Sequence, residues 1–176
     1  FISTKAYCNL KVALFGDTSG INQLIKYLPK ENIFVLVGSY SRTQYFDEIK
    51  ILSESLSVPF LIQPKYKSSE FENFLEDFKK LQIDLIWSNS YSVLIRKEII
   101  ELSSFGGINI HASYLPYNRG PNPIQWSIIN QNEYTGVTLH LLDESFDTGA
   151  IIDQIKIPIS MSDNWLTLKE KIERNI

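Results

Sequence analysis

The segment order predicts an α/β fold, a mostly parallel sheet with helices on both faces, and two observations carry that prediction. Short continuous apolar runs of strand length recur along the chain, and between them lie longer stretches with apolar residues three and four apart and charges in the gaps. Strands that alternate with helices pair in parallel, because each crossover returns the chain to the same end of the sheet. The size agrees: 176 residues, 44% hydrophobic and 21% charged, suffice for one sizeable core and hardly for two.

Taken in order, KVALFG (11–16), NIFVLVGS (32–39), VPFLI (58–62) and IDLIWSN (83–89) read as buried strands, bounded by Gly, Pro, Ser and Asn. INQLIKYL (21–28), FDEIKILSESL (46–56) and SEFENFLEDFKKL (69–81) read as the intervening helices. In the last, Phe71, Phe74, Leu75, Phe78 and Leu81 form one stripe, read as a core face. There follow a short helix near 96–103, the strand GINIHAS (107–113), a helix from Asn122 to Gln131, the strands GVTLHLLD (136–143) and AIIDQIKIPI (150–159), and a helix from about 163. Residues 1–10 read as a tail, and 11–176 as one domain cut short at its C-terminal end.

Charge and cysteine usage narrow the function. A net charge of -3 gives no electrostatic footprint for a polyanion. The single cysteine, Cys8, cannot form an internal disulfide, and no apolar run approaches the roughly 20 residues that span a bilayer. A cytoplasmic protein without a membrane partner is expected. The first turn, FGDTSG (15–20), lacks both the full GxGxxG and a GK[ST], so a turn is the better reading than a nucleotide loop.

The chemistry concentrates in two later stretches. Along GINIHAS a strand turns Asn109, His111 and Ser113 to one face and Ile108, Ile110 and Ala112 to the other, so a polar face backs onto a packing face. The loop YLPYNRGPNP follows. The second stretch, LHLLDESFDTGAII, is an acidic loop between two strands, where Gly149 lets another group approach Asp147 closely. Ser113 lacks a surrounding GxSxG and reads as a loop support rather than a nucleophile. His140 alternates with Thr138 and Leu142 and reads as a second-layer or packing residue. His111, His140, Asp143 and Asp147 match no short ligand motif, so no metal is expected.

Asn-x-His-x-Ser-x-Leu-Pro from Asn109, Arg119-Gly120, Gly-Val-Thr-Leu-His from Gly136 and the Asp-Thr-Gly of 147–149 together resemble the formyltransferases that use 10-formyltetrahydrofolate. The resemblance implies the Rossmann-like N-terminal catalytic domain of that family and transfer of a formyl group from 10-formyltetrahydrofolate to a primary amine. Carried over, the family's catalytic trio falls on Asn109, His111 and Asp147. His111 would move the proton that the amine loses and the folate nitrogen gains, since a histidine titrates near working pH. Asp147 would orient the ring and favour its charged form. Asn109 would aim an N–H at the oxyanion. The folate crevice would fall on Ser90, Tyr91, Ser92, Val93 and Leu94, and on Leu142, Asp143, Glu144 and Thr148 around Asp147. Ser113, Arg119 and Gly120 would serve the acceptor side.

The acceptor is expected to be an amino-sugar nucleotide. Methionyl-tRNA formyltransferases usually carry a long basic insertion after the second strand, and here that connection is only SYSRTQYFDE, without a cluster of lysine and arginine for phosphates. Methionyl-tRNA is the alternative acceptor; a formyltetrahydrofolate hydrolase or an inactive folate-binding module are further alternatives. A homodimer through a region beyond Ile176 is also expected.

Overall fold

Four apolar runs of the first half pair side by side in the computed structural model, which describes residues 10–176. They are β1 (Val12–Gly16), β2 (Ile33–Ser39), β3 (Phe60–Gln63) and β4 (Leu85–Asn89). All three pairings are parallel, in the order β3-β2-β1-β4. Parallel neighbours need crossovers, supplied by α1 (Thr18–Ile25), α2 (Phe46–Leu56) and α3 (Ser69–Lys80). With the short α4 (Lys97–Ile100) they make a compact unit that ends at Gly107. The tail assigned to residues 1–10, Cys8 included, lies outside the described residues except for Leu10.

Every residue of β1 is buried, as a strand flanked on both sides and covered above and below must be. The stripe of α3 packs against it: Phe71, Phe74 and Phe78 are buried, and the Phe78 ring meets that of Phe15 edge to face at 5.8 Å. Leu75 and Leu81 are half-buried at the margin of the same face.

α1 starts three residues before the apolar stripe suggests, because the Asp17 carboxylate caps it by accepting the N–H of Gly20 at 2.9 Å. The glycines of FGDTSG have a packing reason. A Cβ on Gly20 would lie 2.2 Å from the Asn89 carbonyl oxygen, and one on Gly16 2.6 Å from the same atom. They let the start of α1 approach the end of β4 backbone to backbone.

The second unit runs from Ile108 to Ile176. Its strands β5 (Gly107–His111), β6 (Tyr134–Leu141) and β7 (Ile151–Pro158) are antiparallel neighbours in that order. The short loop between β6 and β7 allows only this, since a parallel return would need a crossover. α5 (Pro123–Ile129) and α6 (Trp165–Glu173) cover one face. There Val137, Ile157, Leu168 and Ile172 form the buried core, flanked by Ile110, Ala112, Ile124 and Ile128. The apolar face expected of the NIHAS strand is therefore the packing face. α6 begins with a reciprocal cap between Asn164 and Thr167. No helix among the described residues is long and apolar enough to cross a membrane.

The close approach at Gly20 sets a test. Replacing Gly20 with Ala forces a methyl group against a main-chain oxygen that no rotamer change can move, and should lower the unfolding free energy by about 1–3 kcal/mol. Urea denaturation of the two proteins checks this; an unchanged midpoint would show that α1 can slide away from β4.

Candidate functional site

The period of two along β5 turns Asn109 and His111 away from the core formed by Ile110 and its neighbours. The antiparallel register then sets His140 of β6 opposite Asn109, and Thr138 opposite His111. Cross-strand partners on one face are near neighbours. This pairing brings His140 beside the polar face of β5.

The chain beyond β5 is stitched back over this face. The Thr138 hydroxyl donates to the Ser113 carbonyl at 2.7 Å and accepts from the Leu115 N–H at 3.1 Å. Gln154 of β7 donates to the Leu115 carbonyl at 2.8 Å, and the buried Ser113 hydroxyl donates to the Tyr117 carbonyl at 2.7 Å. Ser113 thus supports the loop. Asn118 follows in the left-handed region, at φ 54, with its side-chain amide tied to Ser127 and Asn132. Its carbonyl oxygen lies 2.9 Å from His111 Nε2.

The loop between β6 and β7 brings the carboxylate. A Cβ on Gly149 would come within 1.8 Å of the Leu141 carbonyl oxygen, so only glycine lets the strands close at that point. Thr148 donates to Asp143 at 2.7 Å and the Ser145 N–H donates to the same carboxylate at 3.1 Å, which folds the turn on itself. Asp147 adopts φ 54 and carries its side chain inward, leaving it 10% exposed.

Four groups surround that carboxylate. Oδ2 accepts the Gly120 N–H at 2.8 Å and faces His111 Nδ1 at 3.4 Å. Oδ1 accepts from Asn109 Nδ2 at 3.2 Å and faces His140 Nε2 at 3.4 Å. A carbonyl oxygen can only accept, so His111 carries its proton on Nε2, toward Asn118, and turns the lone pair of Nδ1 to Asp147. His140 is fixed in the mirror sense: Nδ1 donates to the Leu141 carbonyl at 2.8 Å, and Nε2 bears the lone pair. Asn109 Nδ2 lies 3.1 Å from that Nε2. Both N–H bonds of the Asn109 amide are therefore engaged inside the cluster.

Burial lowers the pKa of His111, outweighing the Asp147 charge and the Asn118 carbonyl, which raise it; His140 adds a smaller lowering. Asp147 thus favours the charged ring, as expected of an opposite charge, but desolvation is the larger effect. For Asp147 burial raises the pKa, and His140, His111 and the Gly120 N–H together overcome it, so the net shift is downward. The lone pair of His111 Nδ1 faces the carboxylate at 3.4 Å, so this nitrogen needs only to gain a proton to become a donor to Asp147.

Asn109, His111, Asp147 and the Gly120 N–H thus come together, while the Arg119 side chain is exposed beside them. Leu142 is half-buried and Glu144 exposed; Asp143 and Thr148 bond to each other. In the first unit, Tyr91 donates to Gln63 Oε1 at 2.8 Å and packs edge to face on Phe15 at 5.3 Å. Burial raises its pKa well above the usual tyrosine value. Its ring is half-buried against the core residue Phe15. The Ser92 hydroxyl lies 2.6 Å from that of Ser39 and 2.7 Å from that of Ser41. Ser90 adopts φ 55, Val93 is half-buried, and the Leu94 carbonyl accepts from Gln63 at 3.1 Å. His140, read from the sequence as a second-layer or packing residue, stands beside Asn109 and Asp147; one participant escaped sequence reasoning, the Asn118 carbonyl, a backbone group that no residue type announces.

Comparison with known proteins bears on the family of the chain. The family model described as formyl transferase matches residues 10–175. The methionyl-tRNA formyltransferase of Thermodesulfovibrio yellowstonii is 40% identical over 125 residues, 71% of this chain and 40% of that protein. The chain therefore spans well under half the length of the curated relatives it matches. Among solved structures, phosphoribosylglycinamide formyltransferase from Bacillus halodurans superposes with a TM-score of 0.75 at 30% identity, covering 93% of this chain and 88% of that one. A sugar N-formyltransferase from Shewanella superposes with a TM-score of 0.72 at 25% identity, covering 94% of this chain and 64% of that one.

The balance at His111 is measurable. Its titration, followed by the ring carbon and nitrogen signals in NMR, should have a midpoint below the ordinary value of about 6.5. Asp147→Asn removes the charge that favours the imidazolium, so the midpoint should move further down. A native midpoint at or above the ordinary value would mean that Asp147, not burial, controls the ring.

Proposed function

We propose, from the premise that the chain belongs to the formyl transferase family, that it carries the catalytic centre of an N-formyltransferase acting on 10-formyltetrahydrofolate. The observation that carries this reading is the buried Asp147 carboxylate held against His111 and Asn109. In formyl transfer an amine attacks the formyl carbon, a tetrahedral intermediate bears an oxyanion, and the folate nitrogen leaves with a proton. Neutral His111 has a lone pair at Nδ1 beside Asp147. Taking the proton there turns a 3.4 Å contact into a charge-assisted hydrogen bond, and the imidazolium then supplies the leaving nitrogen. Asn109 serves the oxyanion by releasing from Asp147 the N–H that spans 3.2 Å.

In this reading Leu142, Asp143, Glu144 and Thr148 line the folate's side of the loop, and Ser90, Tyr91, Ser92, Val93 and Leu94 contribute chiefly backbone groups. Arg119 and Gly120 flank the acceptor. A cytoplasmic location belongs to the same reading. For the acceptor, the relatives at 37–40% identity over about 70% of the chain favour the amino group of methionyl-tRNA. That displaces the amino-sugar nucleotide expected from the sequence. The sugar reading retains one specific support: the connection from β2 to α2 is short, Tyr40 to Tyr45, and Arg42 within it is paired with Asp17 at 2.7 Å.

In the active protein, His111→Ala or Asp147→Asn should lower turnover by at least about 100-fold, the low end for positioned acid-base groups, with folate affinity little changed. Near-normal turnover in either variant would sink the catalytic assignment. A parallel assay with methionyl-tRNA and amino-sugar nucleotides tests the acceptor. Formylation of methionyl-tRNA that falls steeply with salt is expected; activity on the sugar alone would restore the second reading.

A further inference from the structure

We propose that His140 is a positioning residue that sets the orientation of the Asn109 carboxamide. The inference rests on the catalytic reading of Asn109 given above, and it starts from an element of the cluster which that reading leaves unused.

The two ends of a carboxamide have nearly the same shape and opposite hydrogen-bonding character. Something must decide which end of Asn109 faces inward. Asp147 Oδ1, at 3.2 Å, is an acceptor and requires the NH2 end, but it is also the partner from which Asn109 must release an N–H when an oxyanion forms. It cannot hold the amide in place during the reaction. His140 Nε2, at 3.1 Å, can.

Its acceptor character follows from the opposite side of the ring. His140 Nδ1 lies 2.8 Å from the Leu141 carbonyl, which accepts only, so Nδ1 carries the proton of the neutral ring. Nε2 is then left as a lone pair. The ring is 1% exposed, so no water competes for that lone pair at the protein surface. The main-chain carbonyl at Leu141 therefore fixes the tautomer, the tautomer makes Nε2 an acceptor, and the acceptor holds one N–H of Asn109. The second N–H is aimed by planarity, and it is the one that can leave Asp147. A histidine protonated on Nε2 instead would face Asn109 donor to donor and turn the amide over.

Two measurements test this. Long-range proton-nitrogen NMR correlations on this chain, at a pH where the ring is neutral, report the tautomer without any activity. The Nδ1–H form is expected, and the Nε2–H form overturns the proposal. The second is a double-mutant cycle in the active protein with 10-formyltetrahydrofolate. His140→Leu, which cannot accept, should lower kcat roughly 10- to 100-fold, the range for a misplaced catalytic group, with KM little changed. His140→Gln, whose carbonyl can accept from Asn109, should recover most of the loss. In an Asn109→Ala background His140→Leu should add almost nothing. Equal losses in both backgrounds, or an unchanged kcat in His140→Leu, overturn the proposal. Should His140→Leu fail to fold, His140→Gln and the tautomer still decide. If Asn109→Ala itself leaves turnover intact, the catalytic reading has failed; if it is disabling and His140→Leu is not, only the positioning role has.

Discussion

A carboxylate taken out of water must be met by the positive ends of dipoles, and this requirement at Asp147 organises the second unit. An unpaired buried charge is costly enough that the site would neutralise or open. Here Gly120 and Asn109 each give an N–H. Gly120 can reach only because the loop after β5 returns to the site, and that return is held by Thr138, Gln154 and Ser113 through main-chain carbonyls and one N–H. The polar residues of β6 and β7 that look dispensable in isolation are thus what holds the donor to the carboxylate in place.

The same enclosure acts on the imidazole of His111. Burial and the neighbouring negative charge act on His111 in opposite directions, and burial prevails. Main-chain carbonyls take the proton-bearing nitrogen of each ring, at Asn118 and at Leu141. The lone pair left on His111 faces the carboxylate, while that of His140 accepts from Asn109. Such a cluster rests one proton short of its best-bonded arrangement, which is what a group that must accept a proton and return it requires.

Much of the fold was legible because it is written in local periodicity. The stripe of α3 and the alternation along β5 each needed only a window of sequence, and the buried phenylalanines and the packing of Ile110 and Ala112 followed. Asn109, His111 and Asp147 were legible through motif order. The partnership of Asn109 with His140 was not, because it depends on the register between β5 and β6, a non-local quantity that one residue of slip would reverse. The early start of α1 came from a cap, Asp17, rather than from the apolar stripe.

Asp147 also has a backbone conformation of its own, at φ 54, where side chains with a branched β-carbon are excluded and aspartate and asparagine are among the few tolerated. The residue therefore satisfies two demands at once, one of charge and one of chain path. Asparagine keeps the path and removes the charge; glycine keeps the path and removes the side chain altogether; valine, isoleucine and threonine lose both. Loss of function on exchange for a residue with a branched β-carbon would thus be no measure of the carboxylate's chemistry, and the substitutions open to this position in any working relative are narrowed by geometry before catalysis is considered.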